Sequence, residues 1–121
     1  MSKSSPWPTS IKYLRASRSL TITFDDNVTF DLPAEYLRVE SPSAEVQGHG
    51  AATKVTVGGK KSVGITDIQE VGRYAIRLVF DDGHDTGLFS WDYLHQLGAE
   101  KTRRWFEYEN RLAQKGLRRE A

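Results

Sequence analysis

Residues 80–94, FDDGHDTGLFSWDYL, place a strand end, a tight turn, a second strand and a helix start within fifteen residues. The run before it, Tyr74-Ala-Ile-Arg-Leu-Val-Phe80, is rich in strand formers and alternates along its length. Asp81, Asp82 and Gly83 supply turn chemistry up to His84, and Gly83 accepts positive φ without steric cost. Residues 86–89 resume as a strand. Ser90 suits a helix N-cap, and Asp92 falls in the first turn, where the helix dipole favours an acid. Trp91, Leu94 and Leu97 recur at helical spacing, and Gly98 is the expected C-cap. The stretch therefore reads as a hairpin followed by a helix, packed around Phe80, Phe89 and Trp91.

The chain ahead of it also reads as hairpins. Residues 18–24, RSLTITF, alternate strictly, with Leu20, Ile22 and Phe24 on one face. Asp25, Asp26 and Asn27 make a turn, after which Val28, Phe30 and Leu32 alternate again. Pro33 suits the first turn of a short helix, where its missing N–H costs nothing, with Tyr36 and Leu37 facing the core. Residues 63–71 read as a strand with Ile65, Asp67 and Gln69 on one face and Thr66, Ile68 and Glu70 on the other. Gly72 and Arg73 turn it back into 74–80, giving a three-stranded meander with 86–89.

Three segments carry weaker patterns. Residues 1–10 are Ser- and Pro-rich and are expected to be flexible, with 11–17 leading into the first strand. Residues 40–62 have turn and loop composition and are expected to form a long mobile loop. Their Gly58-Gly59-Lys60-Lys61 run resembles a phosphate loop in composition, but it lacks the earlier glycine and the following helix that such a loop needs. Residues 99–117 read as a charged helix with an apolar stripe through Trp105 and Leu112. Its basic residues and aromatics would suit RNA or a protein partner, yet acids are nearly as frequent, which favours packing on the sheet.

A chain of 121 residues makes one domain. The expected fold is α+β: an antiparallel-rich sheet of about five strands in hairpins, a short helix after the first hairpin, and C-terminal helices. The expected divisions are a flexible 1–10, a folded 11–98 and a charged helix and tail over 99–121. A formal net charge of +1 gives no push toward nucleic acid or an anionic membrane. With no cysteine, disulfides, thiolate catalysis, iron–sulfur ligation and cysteine-based zinc sites are excluded. No signal core opens the chain and no run approaches the ~20 apolar residues of a membrane span, so a cytoplasmic protein is expected.

The segments LTITFDDNVTFDLPAEYLR, SPSAEV, GI-D-I-EVG-YA-RL-F and DDGHDTGLFSWDYL together resemble the N-terminal domain of gamma-butyrobetaine hydroxylases, a domain of unknown function that also occurs as small free-standing bacterial proteins. The resemblance spans about residues 8–98. In the hydroxylases this domain is similar to a zinc module held by three cysteines in a C-x-C-x-x-C segment and one histidine. Carried onto this chain, the cysteine positions fall on Ser41, Ser43 and Val46, and the histidine on His84. Three of the four ligands are thus replaced by residues that bind zinc poorly or not at all. The resemblance does not carry over oxygenase activity. That activity belongs to a separate domain with a 2-His-1-carboxylate iron site, and no H-x-D motif is present here. The family also occurs with Mrp-type ATPases that carry iron–sulfur clusters, which implies an accessory role in which this chain is an adaptor.

The leading expectation is a non-enzymatic accessory or interaction domain with a degenerate metal site and no resident cofactor. Its candidate contact residues toward a protein partner are His49, Lys60, Lys61, Trp91 and Trp105. The alternative is a zinc or iron site rebuilt from His49, His84 and Glu40 or Glu45. A third reading pairs His84 with Asp82, Asp85 or Asp92 for acid–base work, but it comes with no nucleophile, oxyanion loop or cofactor motif.

Overall fold

The computed structural model describes residues 6–47 and 54–121. The fold is α+β, but its strands form two sheets rather than the one expected. Strands β1 (Pro8–Leu14), β2 (Ser19–Phe24) and β3 (Thr29–Pro33) make one antiparallel sheet in the order β1-β2-β3. Helices α1 (Ala34–Val39) and α2 (Ala44–Gln47) follow. Strands β4 (Ile65–Val71), β5 (Ala75–Phe80) and β6 (Leu88–Ser90) make the second sheet in the order β4-β5-β6. Helices α3 (Trp91–Ala99) and α4 (Lys101–Gln114) complete the order. No helix among the described residues is long and apolar enough to cross a membrane.

The alternating residues form the core. Leu20, Ile22 and Phe24 of β2, Leu32 of β3, Ile76, Leu78 and Phe80 of β5, and Phe89 of β6 are at most 2% exposed. They share one apolar cluster with Ala34, Tyr36 and Leu37 of α1 and with Trp91, Leu94 and Leu97 of α3. The two sheets and two of the helices thus enclose a single core. A smaller cluster of Val39, Tyr108 and Leu112 seats α4. The stripe on α4 runs from half-buried Trp105 through Tyr108 to Leu112 and leaves Phe106 64% exposed.

Several local expectations are corrected. Strand β1 begins at Pro8, inside the segment expected to be flexible, and pairs along β2. It is an edge strand in which Ile11 and Tyr13 face the core and alternate with exposed Lys12 and Leu14, a run too short to mark a strand by itself, and Pro8 is tolerated at its start. Trp7 precedes it and is tied to the 25–27 turn, its carbonyl accepting from Asp25 N–H at 2.8 Å. Pro33 is the last residue of β3 and the N-cap of α1, not a first-turn residue. In β4 the register shifts between Ile65 and Asp67, so Thr66 is an extra residue. The bulge aligns Ile65 with Phe80 and Ile68 with Leu78, and both isoleucines face the core side. Strict alternation assigns them to opposite faces.

Ser90 caps α3 as expected, its hydroxyl accepting from Tyr93 N–H at 3.1 Å. Gly98, however, lies inside α3 rather than after it, and the chain turns at Glu100. A Cβ at Gly98 would fall 2.2 Å from Cγ of Phe30. The glycine is there for close packing of α3 against β3. Gly98→Ala gains about 1 kcal/mol of helix propensity but forces the Phe30 ring off its packing on Phe24 and His95, an overpacking cost of about 1–3 kcal/mol. The expected result is a net loss of about 1 kcal/mol by chemical denaturation. A more stable variant would show that the ring moves aside freely.

The 40–62 segment is not a featureless loop. It contains the turn of α2, and its described part is tied down at both ends. Lys54 Nζ donates to Glu40 Oε1 at 2.9 Å, Tyr108 Oη donates to the Val57 carbonyl at 2.6 Å, and Val55 N–H donates to the Val46 carbonyl at 2.6 Å.

Candidate functional site

The positions singled out by resemblance converge. Ser41 and Ser43 follow α1, and the 41–47 segment folds back through α2. His84 closes the turn after β5: Gly83 takes φ 92°, Phe80 N–H donates to the His84 carbonyl at 3.0 Å, and His84 N–H donates to Asp82 Oδ1 at 3.0 Å. The imidazole, 6% exposed as a residue, then lies between the two segments. Its Nε2 is 2.9 Å from Ser41 Oγ, and its Nδ1 is 3.0 Å from Glu45 Oε1. A neutral ring with its proton on Nδ1 donates to Glu45 and accepts from the Ser41 hydroxyl, so both nitrogens are satisfied. Ser43 N–H donates to Ser41 Oγ at 3.3 Å, Ser43 Oγ bonds Thr86 Oγ1 at 2.7 Å, and Gln47 Nε2 donates to the Ser41 carbonyl at 2.8 Å. Val46, on α2, is 1% exposed and offers no donor atom in its side chain.

Gly87 allows the two segments to approach. A Cβ there would lie 2.3 Å from Ser41 Oγ. Behind the ring, Asp82 Oδ2 takes Arg38 Nε at 2.8 Å and Lys60 Nζ at 2.6 Å. Burial raises the Asp82 pKa, but the bonds from Lys60, the His84 N–H and Arg38 outweigh it and hold the carboxyl at about 2. Burial, and then the Arg38 charge, push the His84 pKa down from its ordinary value, against Glu45 and Asp82, which pull it up. Neutral imidazole is favoured.

The residues present do not fit zinc. Two hydroxyls, an isopropyl group and one imidazole are not a tetrahedral zinc donor set. Among the described residues no group of three or more His, Asp or Glu is placed to hold a metal ion. Of the rebuilt set, Glu45 touches His84, but the Glu40 carboxylate is engaged by Lys54 and Arg104, each at 2.9 Å. His49 lies outside the described residues. His95 is elsewhere, packed on Phe24 and Phe30 and paired with Asp26 at 2.9 Å. The His84 ring meets Ser41 and Glu45, not Asp82, Asp85 or Asp92, so the acid–base pairs read from the sequence are not assembled.

The other candidates separate. Trp91 is 7% exposed and donates from Nε1 to the Arg73 carbonyl at 2.8 Å, so it is a core residue rather than a contact residue. Lys60 clamps Asp82 beside the site, Lys61 reaches Glu120 at 3.5 Å, and Trp105 is half-buried on α4. Arg38, Thr86 and Gly87 were missed as site residues, and Glu45 was read only as a metal ligand, not as the hydrogen-bond partner of His84. Gly87 was the available signal, since it falls in the run read from the sequence as a strand, where a glycine marks a close approach of backbone.

The family model for the gamma-butyrobetaine hydroxylase-like N-terminal domain matches residues 11–95. The chain belongs to this family. The match runs from within β1 to within α3 and includes the serine positions and His84; α4 lies beyond it. Two solution structures determined by NMR are similar to this hydroxylase-like domain. They are 47% and 49% identical, each matched over 95% of this chain and over 90% and 86% of its own length, both with a TM-score of 0.83. A crystal structure from Acidithiobacillus ferrooxidans is 40% identical over 77% of this chain and 93% of its own, with a TM-score of 0.64. It is described as a protein of unknown function in the DUF971 family. No curated protein matches the chain.

Proposed function

We propose that this chain is a cytoplasmic, non-enzymatic accessory domain that works by binding a protein partner, as an adaptor in metal or iron–sulfur handling. The observation that carries the reading is Ser41. At the position of a family zinc ligand it is fully buried and bonded to His84, so hydrogen bonds join the two segments that the zinc would join. The row Glu45–His84–Ser41 has the order of a carboxylate–imidazole–hydroxyl relay. A nucleophile must reach its substrate, and the Ser41 residue is 0% exposed. The row is better suited to stapling 41–47 onto the 84–87 turn. The family's association with Mrp-type ATPases supports the adaptor role, in which the cluster thiolates come from the partner.

Metal content of untagged protein, with His84→Ala as the control, tests this reading alongside the native mass of the complex. The expected result is no stoichiometric zinc or iron and a defined complex with one protein partner. Stoichiometric metal that disappears in His84→Ala would overturn it in favour of a metal site rebuilt around His84 and Glu45. A chain that carries neither metal nor a stoichiometric partner in its native extract would also overturn it.

A further inference from the structure

The Gly58-Gly59-Lys60-Lys61 run serves backbone recognition. Helix α4 ends in a left-handed Gly116, φ 67°, with Leu117 N–H donating to the Leu112 carbonyl at 2.9 Å and Gly116 N–H to the Ala113 carbonyl at 3.3 Å. This closure is a Schellman motif, and it aims residues 117–121 back across the 58–61 segment. There Gly59 N–H donates to the Arg118 carbonyl at 2.7 Å and Lys61 N–H to the Arg119 carbonyl at 3.0 Å. A Cβ at Gly58 would lie 2.8 Å from the Arg118 oxygen, so the glycine is what lets the two backbones meet.

One side chain anchors the tail. The Arg119 fork meets Glu35, Nε to Oε2 at 2.9 Å and Nη2 to Oε1 at 2.8 Å, and its guanidinium carbon lies 5.2 Å from the Trp105 ring centroid. Glu35 is 6% exposed, and Arg119 is its only cation among the described residues. A bidentate carboxylate, an aromatic face and two backbone donors are the elements by which a groove recognises an extended arginine-bearing segment. The tail occupies only one end of this groove. Beside Arg119 a cleft of about 550 Å³ continues past Trp105 to Pro33, Lys101 and the exposed Phe106.

We propose that this groove is the docking site for an extended, arginine-bearing segment of a protein partner, and that residues 117–121 hold it in cis until such a segment displaces them. The proposal rests on the reading of the chain as an interaction module and names the surface and the chemistry of the partner. The tail is tethered directly to α4, so it competes at an effective concentration of about millimolar. Free ligand meets a largely occupied groove.

The test uses the full chain and a labelled peptide of its own tail, GLRREA, read by fluorescence anisotropy. Arg119→Ala, at a partly exposed position, vacates the anchor. It is expected to bind the peptide about tenfold or more tighter than the unaltered chain. The peptide with alanine at its Arg119 position is expected to lose binding, and one with lysine there to bind more weakly, since lysine lacks the planar fork. Glu35→Gln added to Arg119→Ala is expected to abolish binding of the arginine peptide. Equal binding by Arg119→Ala and the unaltered chain, or by the arginine and alanine peptides, overturns the groove. That failure is separable from failure of the interaction reading, which is judged on the native complex of the unaltered chain.

Discussion

Glu40→Ala is expected to lower stability by about 2–4 kcal/mol, a fall in Tm of about 10 °C for a domain of this size. Glu40 caps α1 and is 1% exposed. Its carboxylate takes Lys54 and Arg104 at 2.9 Å on one oxygen, with Arg111 at 3.8 Å from the other, and its carbonyl accepts from Tyr93 Oη at 2.6 Å. One carboxylate therefore ties the end of α1 to the 54–57 segment and to α4. Removing it leaves three cations facing each other in a partly dry space. Breaking a fully buried pair by deleting one partner costs about 3–5 kcal/mol. The range here is set lower because the three cations keep 16–27% exposure and Arg104 retains Glu100 at 2.8 Å. Glu40→Gln keeps an acceptor and loses the charge, so it should fall between the two. Denaturant unfolding measures all three proteins. A Glu40→Ala variant within about 0.5 kcal/mol of the parent would show that these contacts carry little net energy.

His84→Ala is expected to cost about 2–3 kcal/mol near neutral pH, from the cavity and from the unpaired hydroxyl of Ser41. The cost should depend on pH. The folded-state pKa of His84 lies below its ordinary value of 6.5. As pH falls below that value the unfolded chain takes up a proton that the folded chain refuses, so the parent loses stability from about pH 6.5 downward. The alanine variant lacks this proton, and its deficit should shrink between about pH 7.5 and about pH 5.5. The charged groups facing the ring are Arg38, Glu45 and Asp82. The Asp82 carboxyl, at about 2, titrates well below the window. Unfolding curves at the two pH values decide it. A constant deficit would mean that folding leaves the proton affinity of the ring unchanged, and one that widens in acid would mean that Glu45 holds the protonated ring as an ion pair.

How much was legible in the sequence differs from element to element. Strands β2, β3 and β5 and helix α3 were readable because each buries one face, so the direction of successive side chains is written into the residues themselves. The turns at Asn27 and Gly83 were readable for a related reason, since both take positive φ and few other residues do so cheaply. Strand β1 was not readable, because an edge strand is held by main-chain bonds to β2 that its side chains do not announce.

The candidate site divides along the same line. His84 and the two serines were found by resemblance, and the turn that carries His84 was found from its own residues. What the ring touches was not. Ser41 and Glu45 lie 43 and 39 residues away in sequence, and Arg104 lies 64 from Glu40. The tail on the 58–61 segment is a further case, since the sequence argued against a phosphate loop there but offered no sign of the backbone partner that the fold places on it.

The sequence by itself determined the α+β class, the alternating strands, the capped helix and the absence of thiolate chemistry. These follow from side-chain direction, backbone preference and residue type, which act within a few positions of the chain. Only the tertiary structure decided that the strands divide into two sheets around one core, that Ser41 closes onto His84, and that Glu40 and Glu35 are anchors. Those outcomes depend on which distant surfaces meet when the core closes, and a buried polar group takes whatever partner that closure brings within hydrogen-bond reach.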